Sequence, residues 1–210
     1  MVTGAEWSWV AAAYGLGCCT AGYYWVRWRT GLDLRQQGSG TVGARNAGRV
    51  LGASGFVVTF LLDFAKGALA VAGARCLGFS SLTQVLAMWA VVVGHNWPVQ
   101  LRFQGGKGIA AALGALVAYD PALPVIVGAI FLPSWALLRS LTLGGLLAFG
   151  LAPLGVFALG LGNEPTAAMS GVATLLVVSH RRNIRAELAQ LLSRGSVQDG
   201  LGSTDRNLKD

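Results

Sequence analysis

Apolar residues fill this chain in long runs, and short polar loops separate them. Runs of that length with few internal charges are read as transmembrane helices rather than as core helices of a soluble domain. The pattern predicts about seven spans: Trp7 to Val26, Val50 to Ala72, Leu82 to Gly94, Ile109 to Ala118, Ala122 to Leu138, Leu143 to Leu161 and Ala167 to Val178. Trp7, Trp9, Tyr23, Tyr24, Trp25 and Trp28 flank the first span and suit the two membrane interfaces. The fourth span covers only about half of a ~30 Å hydrocarbon core, as expected of a helix that begins inside the protein. The segment His180 to Leu192 places Ile184, Leu188, Leu191 and Leu192 on one stripe, away from Arg181, Arg182 and Arg185. That arrangement predicts an amphipathic helix on the membrane surface. Ser193 to Asp210 is polar and is expected to be a mobile tail.

Composition supports the membrane reading. Of 210 residues, 54% are hydrophobic and 12% charged, with a mean hydropathy of +0.57, whereas soluble domains carry about 25% charged residues. The 30 glycines suit close packing of helices in lipid. A second domain has no room, so residues 1–192 form one all-α integral membrane unit, followed by the tail at 193–210. The N-terminus carries Glu6 and no basic stretch, which predicts a retained span rather than a cleaved signal. Cys18, Cys19 and Cys76 have no metal-ligand spacing and build no disulfide framework, so they are expected to pack as small apolar residues. A net charge of +7 raises the question of nucleic acid. The basic residues instead lie beside apolar spans. With seven spans, all of the 16 lysines and arginines except Lys66 and Arg75 fall on one side. The positive-inside rule makes that side cytoplasmic, with the N-terminus outside and the C-terminus inside.

Four polar segments then share the cytoplasmic face. The first is GLDLRQQGSGTVGARNAGR, from Gly31 to Arg49. Its glycines allow backbone N–H groups to surround an anion, and Arg35, Arg45 and Arg49 are forked donors suited to phosphate. A flexible loop whose arginines only anchor the interface is the plain alternative. The others are HNWPVQLRFQGGKG from His95, RSLT from Arg139 and SHRRN from Ser179. Asp63 and Lys66, three residues apart inside the second span, are expected to form an internal ion pair that helps position the opening loop. Neither a carboxylate dyad nor a carboxylate cage for a divalent metal is evident, and no cofactor is implied. GGKG is not a nucleotide-binding Walker loop, because Gly108 stands where Ser or Thr is required.

DLRQQGSGTVGARNAGRVLG, GHNWPVQLRFQGGKGIA and SHRRNI resemble the three cytoplasmic motifs of the acyl-phosphate-dependent glycerol-3-phosphate acyltransferases, the PlsY family. Length, span count, motif order and the position of Asp63 and Lys66 extend that resemblance over the whole chain. It implies a bacterial plasma-membrane enzyme that moves a fatty acyl group from acyl phosphate to the 1-hydroxyl of glycerol 3-phosphate. The products are lysophosphatidic acid and phosphate, in the first acylation of phospholipid synthesis. Carried over by motif, Ser39, Arg49 and Lys107 hold phosphate, while His180 and Asn183 hold glycerol 3-phosphate. Around them, Gly38, Gly40, Thr41, Arg45, Asn46, His95, Gly105, Gly106 and Gly108 are candidate substrate contacts. A further family hydroxyl corresponds to Ser140 or Thr142. The chain departs from the family pattern at Thr41, Arg45, Ala111, Ser179 and Ala186, where the family usually has Asn, Thr, Thr, Arg and Arg.

That chemistry needs no covalent enzyme intermediate, since acyl phosphate is already activated. Catalysis then rests on orienting two anions and neutralising the departing phosphate. The proton acceptor is either His180 or a substrate phosphate, and the second is favoured. The partners implied are the two substrates and membrane lipid, with no nucleic acid. Two rival readings remain: a small transporter of anionic solutes, and a catalytically reduced relative that serves as an assembly partner. Each candidate also has a structural alternative. Ser39 fits a turn, Arg49 and Lys107 fit interface anchors, and His95, Asn96, His180 and Asn183 fit helix caps.

Overall fold

Helix signals along the chain are strong where glycine and proline punctuate it, and there the observed elements match them. The computed structural model describes the backbone of residues 2–204 and the side chains of residues 2–185. Within these it is all helical: α1 (Gly4–Cys18), α2 (Ala21–Thr30), α3 (Ala44–Cys76), α4 (Ser81–Asn96), α5 (Ile109–Tyr119), α6 (Ala122–Leu138), α7 (Leu141–Ala158) and α8 (Asn163–Thr204). Two single 3-10 turns, Leu34–Gln36 and Val99–Leu101, lie in the loops before α3 and α5. Two of the helices, α3 and α7, are long and apolar enough to cross a membrane by themselves.

Three boundaries differ from the sequence pattern. The first apolar run is broken at Cys19 and Thr20, which separates α1 from α2. A 15-residue α1 is only about 22 Å long, short of the hydrocarbon core. In α3, Gly52 has φ 68 and ψ −154, a conformation that glycine alone tolerates easily, so the helix is kinked just after its first turns. The expected surface helix is not a separate element: α8 runs without a break from the last apolar run through His180. The side chains beyond Arg185, which include the rest of its stripe, Ala186 and the tail, lie outside the described ones.

The bundle is built on close helix pairs. A Cβ on Gly67 would lie 2.0 Å from the Ala111 carbonyl, and one on Gly114 would lie 1.9 Å from that of Phe64. These absent side chains let α3 and α5 touch along their backbones, and Ala111 is fully buried in that seam. Gly17 and Gly94 do the same for α1 and α4, facing the carbonyls of Val91 and Tyr14. On the other side α6 packs on α7, and α7 packs on α8. Buried Met88, Leu116, Leu123, Phe149, Met169 and Leu176 knit these pairs into one core. A second, smaller core of Val26, Leu34, Val42, Ala47 and Leu101 sits beneath the opening loop and holds it against the bundle. Of the cysteines, Cys18 is buried, but Cys19 and Cys76 are exposed, so the expectation that all three pack inside holds for one.

Candidate functional site

The opening loop is organised by one side chain. Asn46, 1% exposed, donates from Nδ2 to the carbonyls of Leu34, Gln37 and Thr41 at 3.1, 2.9 and 2.8 Å. Its Oδ1 accepts from the Ser39 N–H at 3.0 Å. The amide is therefore occupied in shaping the loop, although the residue still borders the cavity described below. Gly38 has φ 52 and packs against the same Oδ1, where a Cβ would lie at 2.4 Å. Ser39 and Thr41 are hydrogen-bonded to each other through their hydroxyls at 3.1 Å. The N–H of Gly40 is bonded to Gln37 at 2.9 Å, so only part of the expected nest remains open to a ligand.

Arg35, read from sequence as one of three phosphate donors, has another role. It pairs with Asp33 at 2.6 Å, donates to the Leu101 carbonyl at 3.2 Å and lies over the Tyr23 ring. That contact with Arg35 holds the Asp33 carboxyl below the usual carboxylate range. The neighbouring Asp33 in the sequence was the available signal that this arginine is captured locally.

The GGKG segment hangs from the C-terminal end of α4. The N–H groups of Gly105 and Gly106 donate to the carbonyls of Asn96 and His95 at 3.1 and 3.0 Å. These two glycines, candidate substrate contacts in the sequence, turn their N–H groups to α4, and neither borders the cavity. Each takes part because a side chain would collide: a Cβ at Gly106 would be 2.0 Å from Nε2 of His95. Val42 N–H to the Gly105 carbonyl, at 3.4 Å, joins the two loops. Gly108 caps α5 at φ 83, and Lys107 immediately before it is half-buried at the cavity edge. Ser179 on α8 has its hydroxyl 3.1 Å from the Lys107 carbonyl, so a position that departs from the family pattern ties α8 to this loop.

His180 is 3% exposed and has Nδ1 2.8 Å from the Leu176 carbonyl one turn earlier. A carbonyl can only accept, so Nδ1 carries a proton. Asn183 lies one turn further along α8 and does not border the cavity. Ser140 caps α7 by accepting from the Leu143 N–H at 3.1 Å, whereas Thr142 borders the cavity.

These elements enclose a cavity of about 480 Å³. Its mouth carries Ser39, Thr41, Arg45, Arg49, Lys107 and Thr142, with His180 and His95 on its polar wall. Arg45 and Arg49 have no carboxylate partner among the described residues. Asp63 also reaches the wall, but it is paired with Lys66 at 2.8 Å. The expected ion pair is thus present, yet it does not reach the opening loop. Lys66 extends to the carbonyls of Gly17 and Cys19 at the α1–α2 break and to His95 Nδ1. Among the described residues no cluster of His, Cys, Asp and Glu could hold a metal ion.

Away from the mouth the cavity turns apolar. Phe60 from α3, Leu113 from α5, Val127 and Phe131 from α6, and Phe149 from α7 line it. None of these was singled out by sequence, because an apolar side chain in a span looks the same whether it meets lipid, core or cavity. Chemically, the site offers three cations and three hydroxyls at one end and a hydrocarbon-lined pocket at the other. That combination suits an amphiphile with an anionic head.

A family model described as glycerol-3-phosphate acyltransferase matches residues 7–190. The glycerol-3-phosphate acyltransferase 1 of Desulfitobacterium hafniense (strain Y51) is 43% identical over 180 residues, covering 85% of this chain and 89% of that one. Among solved structures, PlsY, an integral membrane glycerol 3-phosphate acyltransferase, is similar in its glycerol 3-phosphate form with a TM-score of 0.80 and 33% identity, covering 89% of this chain and 94% of that one. Its lysophosphatidic acid form gives a TM-score of 0.77 and 30% identity, covering 89% and 93%.

Proposed function

This chain belongs to the glycerol-3-phosphate acyltransferase family, and from that premise we propose that its acyl donor is acyl phosphate and that the cavity between α3, α5, α6 and α7 is where the two substrates meet. The acyl group passes to the 1-hydroxyl of glycerol 3-phosphate, giving lysophosphatidic acid and inorganic phosphate. One observation carries the reading: Arg45, Arg49 and Lys107 ring the mouth of a cavity whose deeper wall is Phe60, Leu113, Val127, Phe131 and Phe149. An acyl phosphate has its negative charge and its hydrocarbon in the same order.

In the reaction the C1 oxygen attacks the acyl carbon. The bond from that carbon to the bridging phosphate oxygen breaks, and the hydroxyl proton ends on the departing phosphate. Lys107 and Arg49 stabilise the charge that grows on that phosphate, and Ser39 adds a hydroxyl donor beside them. His180, on the cavity wall, hydrogen-bonds glycerol 3-phosphate and orients it.

The protein acts at the membrane, like the integral membrane relatives it matches. In our reading about seven of its helices cross the bilayer of a bacterial plasma membrane, with the N-terminus outside and the mouth of the cavity at the cytoplasmic surface. The one-sided placement of arginine and lysine supports that orientation. The short α2, with Trp25 and Trp28 against Arg29, lies at the interface rather than within the span.

The test uses the purified protein in detergent with palmitoyl phosphate and glycerol 3-phosphate. Phosphate release that requires both substrates is expected. Lys107→Ala and Arg49→Ala are each expected to lower kcat/KM by about 100-fold or more, the scale of losing one preorganised charge-stabilising donor. Full activity in both variants would remove these residues from the site.

A further inference from the structure

Arg45 sits where a cation is electrostatically out of place. It is in the first turn of α3, near the positive end of the helix dipole, a position that favours acids. It is exposed, has no carboxylate partner among the described residues, and faces the cavity mouth with Arg49. Nothing in the packing of α3 calls for it. Its guanidinium instead crosses the mouth, with Nη1 donating to Thr142 Oγ1 on α7 at 3.3 Å.

That contact spans the cavity. The α6–α7 hairpin meets α5 only slightly and joins the bundle chiefly through α8. Arg45 to Thr142 is therefore a polar tie between the hairpin and α3 at the point where the cavity opens. The hydrogen bond is long and partly exposed, so water or another acceptor replaces Thr142 at small cost.

The adjoining face of α7 indicates which acceptor that is. Leu141, Gly145 and Phe149 recur every four residues and line the cavity as one stripe. The stripe leads inward from Leu141, beside Thr142, for roughly 12 Å along the helix. Phe131, Gly128, Val127 and Pro124 of the adjoining α6 line the same cavity. A hydrocarbon chain laid along these two helices has its head group at the outer end, next to Thr142 and within reach of Arg45. Lys107 also borders the cavity, and its carbonyl accepts from the Ser179 hydroxyl of α8. The α7 side of the mouth is thus marked by Arg45 and Thr142, and the α8 side by His180.

We propose that Arg45 is a specificity-determining residue for the acyl donor: it binds the donor's phosphate at the head of the α6–α7 channel and exchanges its hydrogen bond to Thr142 for that phosphate. Arrival of the donor then unties the hairpin from α3, and departure of the phosphate restores the tie. Glycerol 3-phosphate is held at His180, on the α8 side of the cavity, and does not depend on Arg45. The proposal rests on the acyl-phosphate reading above.

Two measurements test it and separate its failure from failure of that reading. The first is equilibrium binding of hexadecyl phosphate, which carries the same head and chain but cannot transfer an acyl group. Arg45→Gln is expected to weaken this binding at least 10-fold relative to the unaltered protein, and Arg45→Lys to recover part of the loss. Binding of glycerol 3-phosphate is expected to change less than twofold. The second is steady-state kinetics with each substrate varied in turn: Arg45→Gln raises KM for palmitoyl phosphate about 10-fold and leaves KM for glycerol 3-phosphate within twofold. Equal hexadecyl phosphate binding in Arg45→Gln and the unaltered protein overturns the proposal, whether or not the protein turns over. So does a loss confined to glycerol 3-phosphate. Absence of turnover in the unaltered protein, with Arg45-dependent hexadecyl phosphate binding intact, instead overturns the acyl-phosphate reading and leaves Arg45 as an alkyl-phosphate ligand.

Discussion

Lys66 Nζ lies 2.9 Å from His95 Nδ1, and both residues are almost fully buried. An ammonium can only donate, so Nδ1 accepts and the neutral ring keeps its proton on Nε2, the atom that faces Gly106. At His180, by contrast, Nδ1 carries a proton and donates it to the Leu176 carbonyl. One cation, Lys66, therefore does three things: it neutralises Asp63, sets the His95 tautomer beneath the GGKG loop, and bonds the carbonyls of Gly17 and Cys19 where α1 ends. Lys66→Met leaves Asp63 as a buried, unmatched charge, which costs about 3–5 kcal/mol. The expected result is a large loss of resistance to denaturation in detergent. Adding Asp63→Asn to the same protein should restore part of it, and a single variant as resistant as the parent would refute the account.

Asn46 offers a sharper test of the opening loop. Its amide serves three carbonyls and one N–H, so no other side chain of that size can replace it. Asn46→Asp keeps the acceptor for Ser39 N–H but sets a second oxygen against the carbonyls of Leu34, Gln37 and Thr41. Each lost buried hydrogen bond costs about 1–3 kcal/mol. We expect Asn46→Asp to speed backbone hydrogen exchange across 34–42 and to lower kcat/KM at least 10-fold, with exchange in α6 and α7 unchanged. Uniform loss of protection throughout the protein would instead identify a global folding defect.

How much of this was readable in the sequence depended on whether the deciding interaction is local. Gly108 before Ile109 and Asp120–Pro121 before Ala122 are local punctuation, and α5 and α6 begin where they indicate. The all-helical fold and the gathering of the polar segments around one cavity followed from patterning and motif order. The break between α1 and α2 was not legible, because its carbonyls are satisfied by Lys66, far along the chain. The kink at Gly52 is one glycine among many, and only the backbone angle distinguishes it. Arg35, Arg45 and Arg49 look equivalent in one loop. Their different roles are fixed by Asp33, Thr142 and the cavity, and only the first of these is a sequence neighbour.

Acid sensitivity should concentrate at the other end of α1. Glu6 lies in its first turn, ahead of the apolar run that starts at Trp7, and is pulled from its ordinary 4.5 to about 2. The causes are hydrogen bonds from the Thr3 N–H, then from the Ser80 N–H and hydroxyl and the Thr83 hydroxyl. Its folded value is depressed, so its contribution to stability is fully present above 4.5 and is lost as pH falls toward about 2. Glu6→Gln should therefore be less stable than the parent at neutral pH, with the difference closing between pH 4.5 and 2. Thermal unfolding in detergent across that window checks it; a difference that widens as pH falls would contradict the sign.

The length of acyl chain accepted should be set by two glycines on facing helices. Gly128 on α6 and Gly145 on α7 both border the apolar part of the cavity, and a Cβ added at either meets nothing within 4 Å. The space beside them is therefore open, and larger side chains there extend into the channel rather than into neighbouring backbone. Folding should not suffer, since glycine inside a helix is about 0.8–1 kcal/mol less favourable than alanine, and leucine lies near alanine on that scale. Gly145 is one turn in from Leu141, where α7 begins, and Gly128 is ten residues before Leu138, where α6 ends, so the two obstruct different depths. Gly145→Leu is expected to lower kcat/KM for palmitoyl phosphate at least 10-fold while sparing the shortest acyl phosphates, and Gly128→Leu to move the cutoff less. The measurement is kcat/KM against chain length at fixed glycerol 3-phosphate. A uniform fall at every length would mean that the chain does not run between α6 and α7.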